Sequence, residues 1–172
     1  MKLIAATFVF VFILDFTVIA GQTPSTNSST SALVGTWRLL IYEDHPEGSA
    51  IEYPFGKKPV GLLMYDATGN MAIQLMKTPH PKVASGDDEK IQPQEKIALL
   101  DSYVAYFGTY SVDWQKKIVV HKVEADLYDV FVGTVQERPF ELTGDRLILS
   151  PSWVREGKTV TGIRVFERVK SK

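Results

Sequence analysis

One histidine, His121, lies in the middle of a run of β-branched residues in the segment KIVVHKVEAD, residues 117–126. An imidazole has an unperturbed pKa of about 6.5, so it can serve near neutral pH as an acid, a base or a hydrogen-bonding group. Two interpretations are open. His121 positions the polar group of a ligand inside a cavity, or it is a buried polar residue that bonds a neighbouring Tyr or Glu. The second is favoured, because most buried polar groups have structural partners.

The strand pattern around His121 predicts which way its side chain points. Side chains alternate between the two faces of a strand, so one parity must face any interior. The set Val119, His121, Val123 and Ala125 carries less charge than the alternate set, which includes Lys122. We therefore expect His121 to face inward.

Other polar residues could share a cavity with this histidine. A hydrogen-bonding group that lines a pocket fixes the orientation of a largely apolar ligand. The predicted ligand-binding residues are His121, Tyr65, Gln74, Tyr110 and Arg138. If His121 binds ligand, replacing it with Gln or Ala should reduce ligand retention and leave the thermal midpoint nearly unchanged.

A second group of candidates is an aromatic cluster, Tyr103, Tyr106, Phe107 and Tyr110. Aromatic side chains bury large areas and tyrosine adds a polar tip, so the cluster suits either core packing or a ligand shelf. Core packing is favoured.

Motifs of established catalytic and cofactor sites are missing from the sequence. It contains no Gly-x-Ser-x-Gly nucleophile elbow, no phosphate-binding glycine-rich loop, no His-Glu-x-x-His and no internal repeat. His45, His80 and His121 are too scattered to form a recognisable metal-ligand pattern. No catalytic residue, metal or cofactor is therefore predicted, and catalysis itself stays open.

The composition favours a single globular domain. The chain has 172 residues, of which 45% are apolar, with 19 basic and 20 acidic side chains. This balance, without a Lys/Arg run, gives no electrostatic footprint for nucleic acid, so nucleic acid is not expected as a partner. The chain has no cysteine, which excludes disulfides and thiolate catalysis, so stability must come from packing.

The N-terminus predicts export. Residues 1–20, MKLIAATFVFVFILDFTVIA, have the organisation of a signal peptide, with Val18 and Ala20 at the positions that signal peptidase recognises. A membrane anchor is the less favoured alternative, since Asp15 in bilayer hydrocarbon would cost about 2.5–3.5 kcal/mol. Residues 21–32 are a Ser/Thr-rich linker expected to be disordered. The mature protein should be secreted or periplasmic, without stable membrane insertion.

From Leu33 onward the hydrophobic pattern is mostly period two, with turn residues at short intervals. Turns are expected at 66–70, 113–116, 143–145 and 156–157, which gives eight or nine short antiparallel strands. Such a series is typical of a sandwich or a barrel. One segment differs: apolar residues at helical spacing behind a proline predict one short helix over about residues 93–104.

Several blocks of the sequence, taken in order, resemble the lipocalin-like domain family of small bacterial and fungal proteins. The blocks are LVGTWRLL, PFGKKPVGLLMYDATGNMAIQLM, SYVAYFGTYSVD, VVHKVEADL, VGTVQERPFELTGDRLILS and FERV. The resemblance covers about residues 33–169. It implies an all-β, eight- to nine-stranded antiparallel lipocalin-like barrel with a central cavity, and it assigns no general activity.

One motif within these blocks has a structural meaning. Gly35-Thr36-Trp37 is similar to the Gly-x-Trp of lipocalins, whose tryptophan plugs the closed end of the barrel beneath an arginine from the last strand. Arg164 or Arg168 would be that arginine here, through a cation–π contact.

Three functions remain for such a barrel. The leading hypothesis is an exported protein that binds a small, largely apolar molecule in the cavity. The alternative is a small isomerase, cyclase or hydratase that uses His121 as its acid or base in the same cavity. The third is an interaction module whose barrel interior is filled by side chains. The sequence does not predict an oligomeric state.

Overall fold

The computed structural model of the protein describes residues 32–170. The predicted signal peptide at 1–20, and all but the last residue of the linker predicted at 21–32, lie outside the described residues. The strands and the helix are β1 (Gly35–Pro46), β2 (Val60–Tyr65), β3 (Asn70–Met76), α1 (Pro93–Asp101), β4 (Tyr103–Asp113), β5 (Ile118–Asp126), β6 (Val135–Thr143), β7 (Arg146–Leu149), β8 (Ser152–Arg155) and β9 (Lys158–Arg168).

The strands form one antiparallel sheet that closes on itself. Neighbours follow the chain from β1 to β7, then β9 and β8, and β1 also pairs with β9 to close the barrel. Strand β9 is long enough to pair with β7 through residues 164–167 and with β8 through residues 158–161. The all-β, eight- to nine-stranded antiparallel barrel predicted from the sequence is confirmed.

The predicted short helix is confirmed as α1. It begins with Pro93 in the first turn, where a missing N–H costs nothing, and a capping box joins Gln92 and Glu95. It ends at Asp101 instead of near residue 104, because Tyr103 already pairs with Met76 as part of β4. Within residues 32–170, no helix combines the length and apolar character that crossing a bilayer requires.

One end of the barrel is closed by Trp37. Its side chain is fully buried, and its Nε1 donates a hydrogen bond to the Leu33 carbonyl at 2.9 Å. The Arg168 guanidinium lies over the indole ring, 4.1 Å from its centroid, and donates to the carbonyls of Val34 and Ala32. Arg168 rather than Arg164 is therefore the arginine that covers the tryptophan.

A bulge in β1 changes which residues of that strand face the interior. Trp37 and Leu39 are both buried, but the pairing with β9 shifts between Leu39 and Ile41. Beyond the shift Tyr42 and Asp44 face inward, opposite in parity to the first half of the strand. Because of the bulge, a tyrosine and a carboxylate face the interior at the open end of the barrel, which is the end opposite Trp37.

Candidate functional site

The open half of the barrel contains a cavity of about 460 Å³. This is within the range of about 300–1,000 Å³ typical of small-molecule sites. Most of its wall is aliphatic or aromatic. The lining residues are Tyr42, Ile73, Leu75, Val104, Tyr106, Phe131, Gln136, Arg138, Leu149, Pro151, Ser152, Trp153, Arg164 and Phe166.

Strand β6 supplies polar groups to the cavity by strict alternation. Gln136, Arg138 and Phe140 are turned toward the interior, whereas Glu137 and Pro139 are exposed. Residues 135–138 form the part of β6 nearest the open end, and among the described strands they pair only with β5. Strand β8 likewise pairs only with β9. The cavity therefore lies beside an interruption in the sheet, next to Arg138.

The Arg138 guanidinium makes two long hydrogen bonds. It donates to the Glu137 carbonyl at 3.2 Å and to Oε1 of Gln136 at 3.3 Å. Both distances are at or beyond the upper limit of ordinary N–H···O bonds. No carboxylate within residues 32–170 forms an ion pair with Arg138. It is a cation with spare hydrogen-bonding capacity at a largely apolar cavity.

The other arginine of the cavity wall is fully engaged. Arg164 is mostly buried, donates to Oδ1 of the equally buried Asp44 at 2.6 Å, and stacks over Tyr42 at 3.4 Å from the ring centroid. A buried cation with a paired carboxylate is electrostatically satisfied. Arg164 therefore shapes the wall but has little capacity left to recognise a charged ligand.

His121 lies inside the barrel, fully buried, between two tyrosines. The Tyr65 hydroxyl oxygen is 2.6 Å from Nε2, and the Tyr106 hydroxyl oxygen is 3.0 Å from Nδ1. Burial, together with the nearby Arg138 charge, lowers the pKa of His121 to about 3, so the ring is neutral near pH 7. Of these three residues only Tyr106 lines the cavity.

Burial also shifts the acidity of both tyrosines. Desolvation raises the pKa of Tyr65 well above its usual value, and it raises the pKa of Tyr106 against the opposing charge of Arg138. Both hydroxyls are therefore protonated near neutral pH. They act as hydrogen-bonding groups rather than as charged ones.

The five residues predicted to bind ligand occupy three different places. Arg138 lines the cavity. His121, Tyr65 and Tyr110 face the interior but lie below the cavity, toward the closed end, where the Tyr110 hydroxyl donates to the Asp66 carbonyl at 2.8 Å. Gln74 is exposed on the outer face, contrary to the expectation that it lines the interior, because β3 turns Met71, Ile73 and Leu75 inward.

Some lining residues were missed by sequence reasoning. Tyr106 was favoured as a core residue, although it shares the inward parity of Tyr110 on β4. Gln136 has the same parity as Arg138, which could have indicated it. Tyr42 and Trp153 could not be found from alternation alone, since one follows a bulge and the other lies on a strand of four residues.

The described residues contain no site built for a metal. No group of three or more His, Asp or Glu side chains within residues 32–170 is arranged to hold an ion. The polar side chains that line the cavity are tyrosines, arginines, a glutamine, a serine and a tryptophan. These are hydrogen-bond donors and acceptors suited to an organic ligand rather than a cation.

Comparison with known proteins agrees with this architecture. The sequence model of the lipocalin-like domain family matches residues 34–169, which is most of the chain. No curated protein and no solved structure gives a significant match. A Gly-x-Trp plug beneath Arg168, a closed antiparallel barrel and an internal cavity accompany that match, and the chain belongs to the lipocalin-like domain family.

Proposed function

We propose that this protein binds a small, largely apolar molecule in the cavity of its barrel. The observation that carries the proposal is the cavity of about 460 Å³ in the open half, which the surrounding side chains leave unfilled. Transfer of apolar surface from water would supply most of the binding free energy, at about 25 cal/mol per Å². Tyr106, Gln136 and Arg138 would orient the polar end of the ligand. An interaction module with a filled barrel has less support, since the open half is hollow.

We also propose that the protein works outside the cytoplasm, in the periplasm or the extracellular space. The support is the signal-like organisation of residues 1–20.

The enzymatic alternative has one observation in its favour, the hydrogen-bonded series Tyr65, His121 and Tyr106 that ends at the cavity. It is less well supported than binding. His121 has both ring nitrogens engaged and lies out of reach of the cavity, and a pKa of about 3 is poorly matched to acid–base work near neutral pH. Any proton transfer to a bound ligand from this series would come from the Tyr106 hydroxyl.

A cavity-filling variant tests the binding function. Leu149 lines the cavity on β7, whereas its neighbour Ile148 points to the opposite face. Leu149→Phe should weaken binding of 1-decanol by about tenfold or more, because the larger ring occupies the ligand volume. Ile148→Phe adds the same atoms outside the cavity and should change the affinity by less than about twofold.

Isothermal titration calorimetry gives the dissociation constants, with the fluorescence of Trp153 in the cavity wall as a second readout. The proposal fails if the wild-type protein shows no saturable binding of decanol or of its carboxylate analogue decanoate, or if the two variants lose affinity equally.

A further inference from the structure

The arginines that face the interior of the barrel differ in their acidic partners. Arg164 is paired with Asp44, and Arg168 lies 3.5 Å from Asp145. Arg138 faces the same interior and, within the described residues, has no acidic partner. A cation beside apolar surface is stabilised by an anion of good geometry, and charge-assisted hydrogen bonds are roughly twice as strong as neutral ones.

The hydrogen bonds at His121 run in one direction, from Tyr65 through the imidazole to Tyr106. Tyr65 is buried, and within residues 32–170 its hydroxyl has Nε2 of His121 as its one hydrogen-bond partner, at 2.6 Å. Because a buried hydroxyl proton without an acceptor is destabilising, Tyr65 donates to Nε2. A neutral imidazole that accepts at Nε2 carries its proton on Nδ1. Nδ1 therefore donates to the Tyr106 oxygen at 3.0 Å.

This direction determines what Tyr106 offers to a ligand. Its oxygen already accepts from His121, so its own hydroxyl proton is free to be donated into the cavity. Tyr106 and Arg138 line the same cavity, and the charge of Arg138 acts on the Tyr106 hydroxyl. The two side chains thus point hydrogen-bond donors into the same part of the cavity, and the donor of Arg138 is charged.

We propose that the cavity binds an amphipathic carboxylate, with its carboxylate oxygens at Arg138 and the Tyr106 hydroxyl and its apolar body against Ile73, Leu75 and Leu149. The proposal rests on the binding function proposed above and names its ligand class. A carboxylate accepts several hydrogen bonds. It also supplies the negatively charged partner that Arg138 does not have within the described residues. The aliphatic side chains of Ile73, Leu75 and Leu149 offer no hydrogen bond to a second charged end, and the other arginine of the wall, Arg164, is already paired with Asp44.

The test compares two probes that share one alkyl chain and differ in the head group, decanoate and 1-decanol. Near neutral pH decanoate is ionised, and calorimetry on the full mature protein should show it bound about tenfold or more tightly than decanol. Arg138→Gln should bring the two affinities to within about twofold by weakening decanoate alone. Tyr106→Phe should reduce the preference in the same direction and by less.

Arg146→Gln is the matched control, because Arg146 is an exposed arginine on β7 outside the cavity and its loss changes the net charge equally. It should keep the full preference for decanoate. Unchanged decanol binding by Arg138→Gln shows that the variant is folded.

The outcomes separate the two proposals. Equal binding of both probes by the wild-type protein overturns the carboxylate proposal and leaves the apolar binding function standing. A preference for decanoate that survives Arg138→Gln also overturns it, since the head group is then recognised elsewhere. Binding of neither probe overturns the binding function as well.

Discussion

His121 does not line the cavity, but its hydrogen bonds join Tyr65, toward the closed end of the barrel, to Tyr106 in the cavity wall. Tyr65 lies on one side of the ring and Tyr106 on the other, so the imidazole fixes the orientation of a tyrosine that does line the site. Sequence reasoning left open whether this histidine binds a ligand or satisfies a polar core. Its burial between two tyrosines supports a structural role, with an indirect effect on Tyr106.

The pH dependence of stability should show this role. In the unfolded chain the pKa of His121 is the ordinary imidazole value of about 6.5, and in the folded protein it is about 3. Between these values the folded state binds fewer protons, so protons favour unfolding. The contribution of His121 to stability is present above about pH 6.5 and is lost as pH falls toward 3, by up to about 1.4 kcal/mol per pH unit.

The variant His121→Gln removes this titration. We expect it to lower the free energy of unfolding by about 2–4 kcal/mol at neutral pH, because the buried hydroxyls of Tyr65 and Tyr106 lose their hydrogen-bond partner. The difference from the wild-type protein should shrink as pH falls from 6.5, and urea denaturation across that range measures it. Tyr65→Phe keeps the imidazole and should keep the steep dependence. A difference that stays constant with pH would contradict the assignment.

At the scale of the elements, the contact between β4 and β5 depends on one glycine. The pairing shifts at a bulge between Phe107 and Gly108. A Cβ added at Gly108 would lie 2.0 Å from the Lys122 carbonyl oxygen, far closer than any real Cβ contact. Because β4 carries Tyr106 and β5 carries His121, this close approach also sets the distance between those two side chains.

Gly108→Ala should therefore destabilise the protein by about 2–3 kcal/mol, because the two strands must separate to admit a methyl group against backbone. Ser111→Ala, at an exposed position on the same strand, is the control and should change stability by less than about 0.5 kcal/mol. Urea denaturation measures both. A loss for Gly108→Ala no larger than that of the control would show that the bulge relaxes freely.

At the scale of the whole molecule, much of the fold could be predicted because its signals are local. Alternation predicted the strands, a proline and apolar spacing predicted α1, and the resemblance of Gly35-Thr36-Trp37 to the lipocalin motif implied the plug at Trp37. Local alternation reports whether a side chain faces in or out, but not how deep it lies along the barrel axis. Depth depends on the stagger of neighbouring strands, which explains why His121 and Tyr110 face inward yet lie below the cavity.

The expectation for Gln74 failed for a different reason. This residue lies between Ile73 and Leu75, and the two apolar neighbours take the inward parity. The alternation itself therefore indicates an outward glutamine. Gln74 was a candidate because its amide can form hydrogen bonds, but burial of its apolar neighbours decides which way the side chain points.

Export also belongs to the scale of the whole molecule. If residues 1–20 are a signal peptide, a protein recovered from the periplasm or the medium should begin at Gly21, because Val18 and Ala20 occupy the recognition positions. Intact mass and N-terminal sequencing of the exported protein check this. Charged residues in place of Val18 and Ala20 should abolish the cleavage. A full-length chain retained in the membrane fraction would favour an anchor instead.

The pairing of β1 with β9 has a consequence for how the chain folds. The first and last strands of the barrel are partners through residues 37–46 and 160–168, so the sheet cannot close until nearly all of the domain has been synthesised. Contacts of such long sequence separation are slow to form, because the entropy of closing a large loop is lost before the strands pair. Until then two sheet edges and the apolar inner faces stay exposed to aggregation.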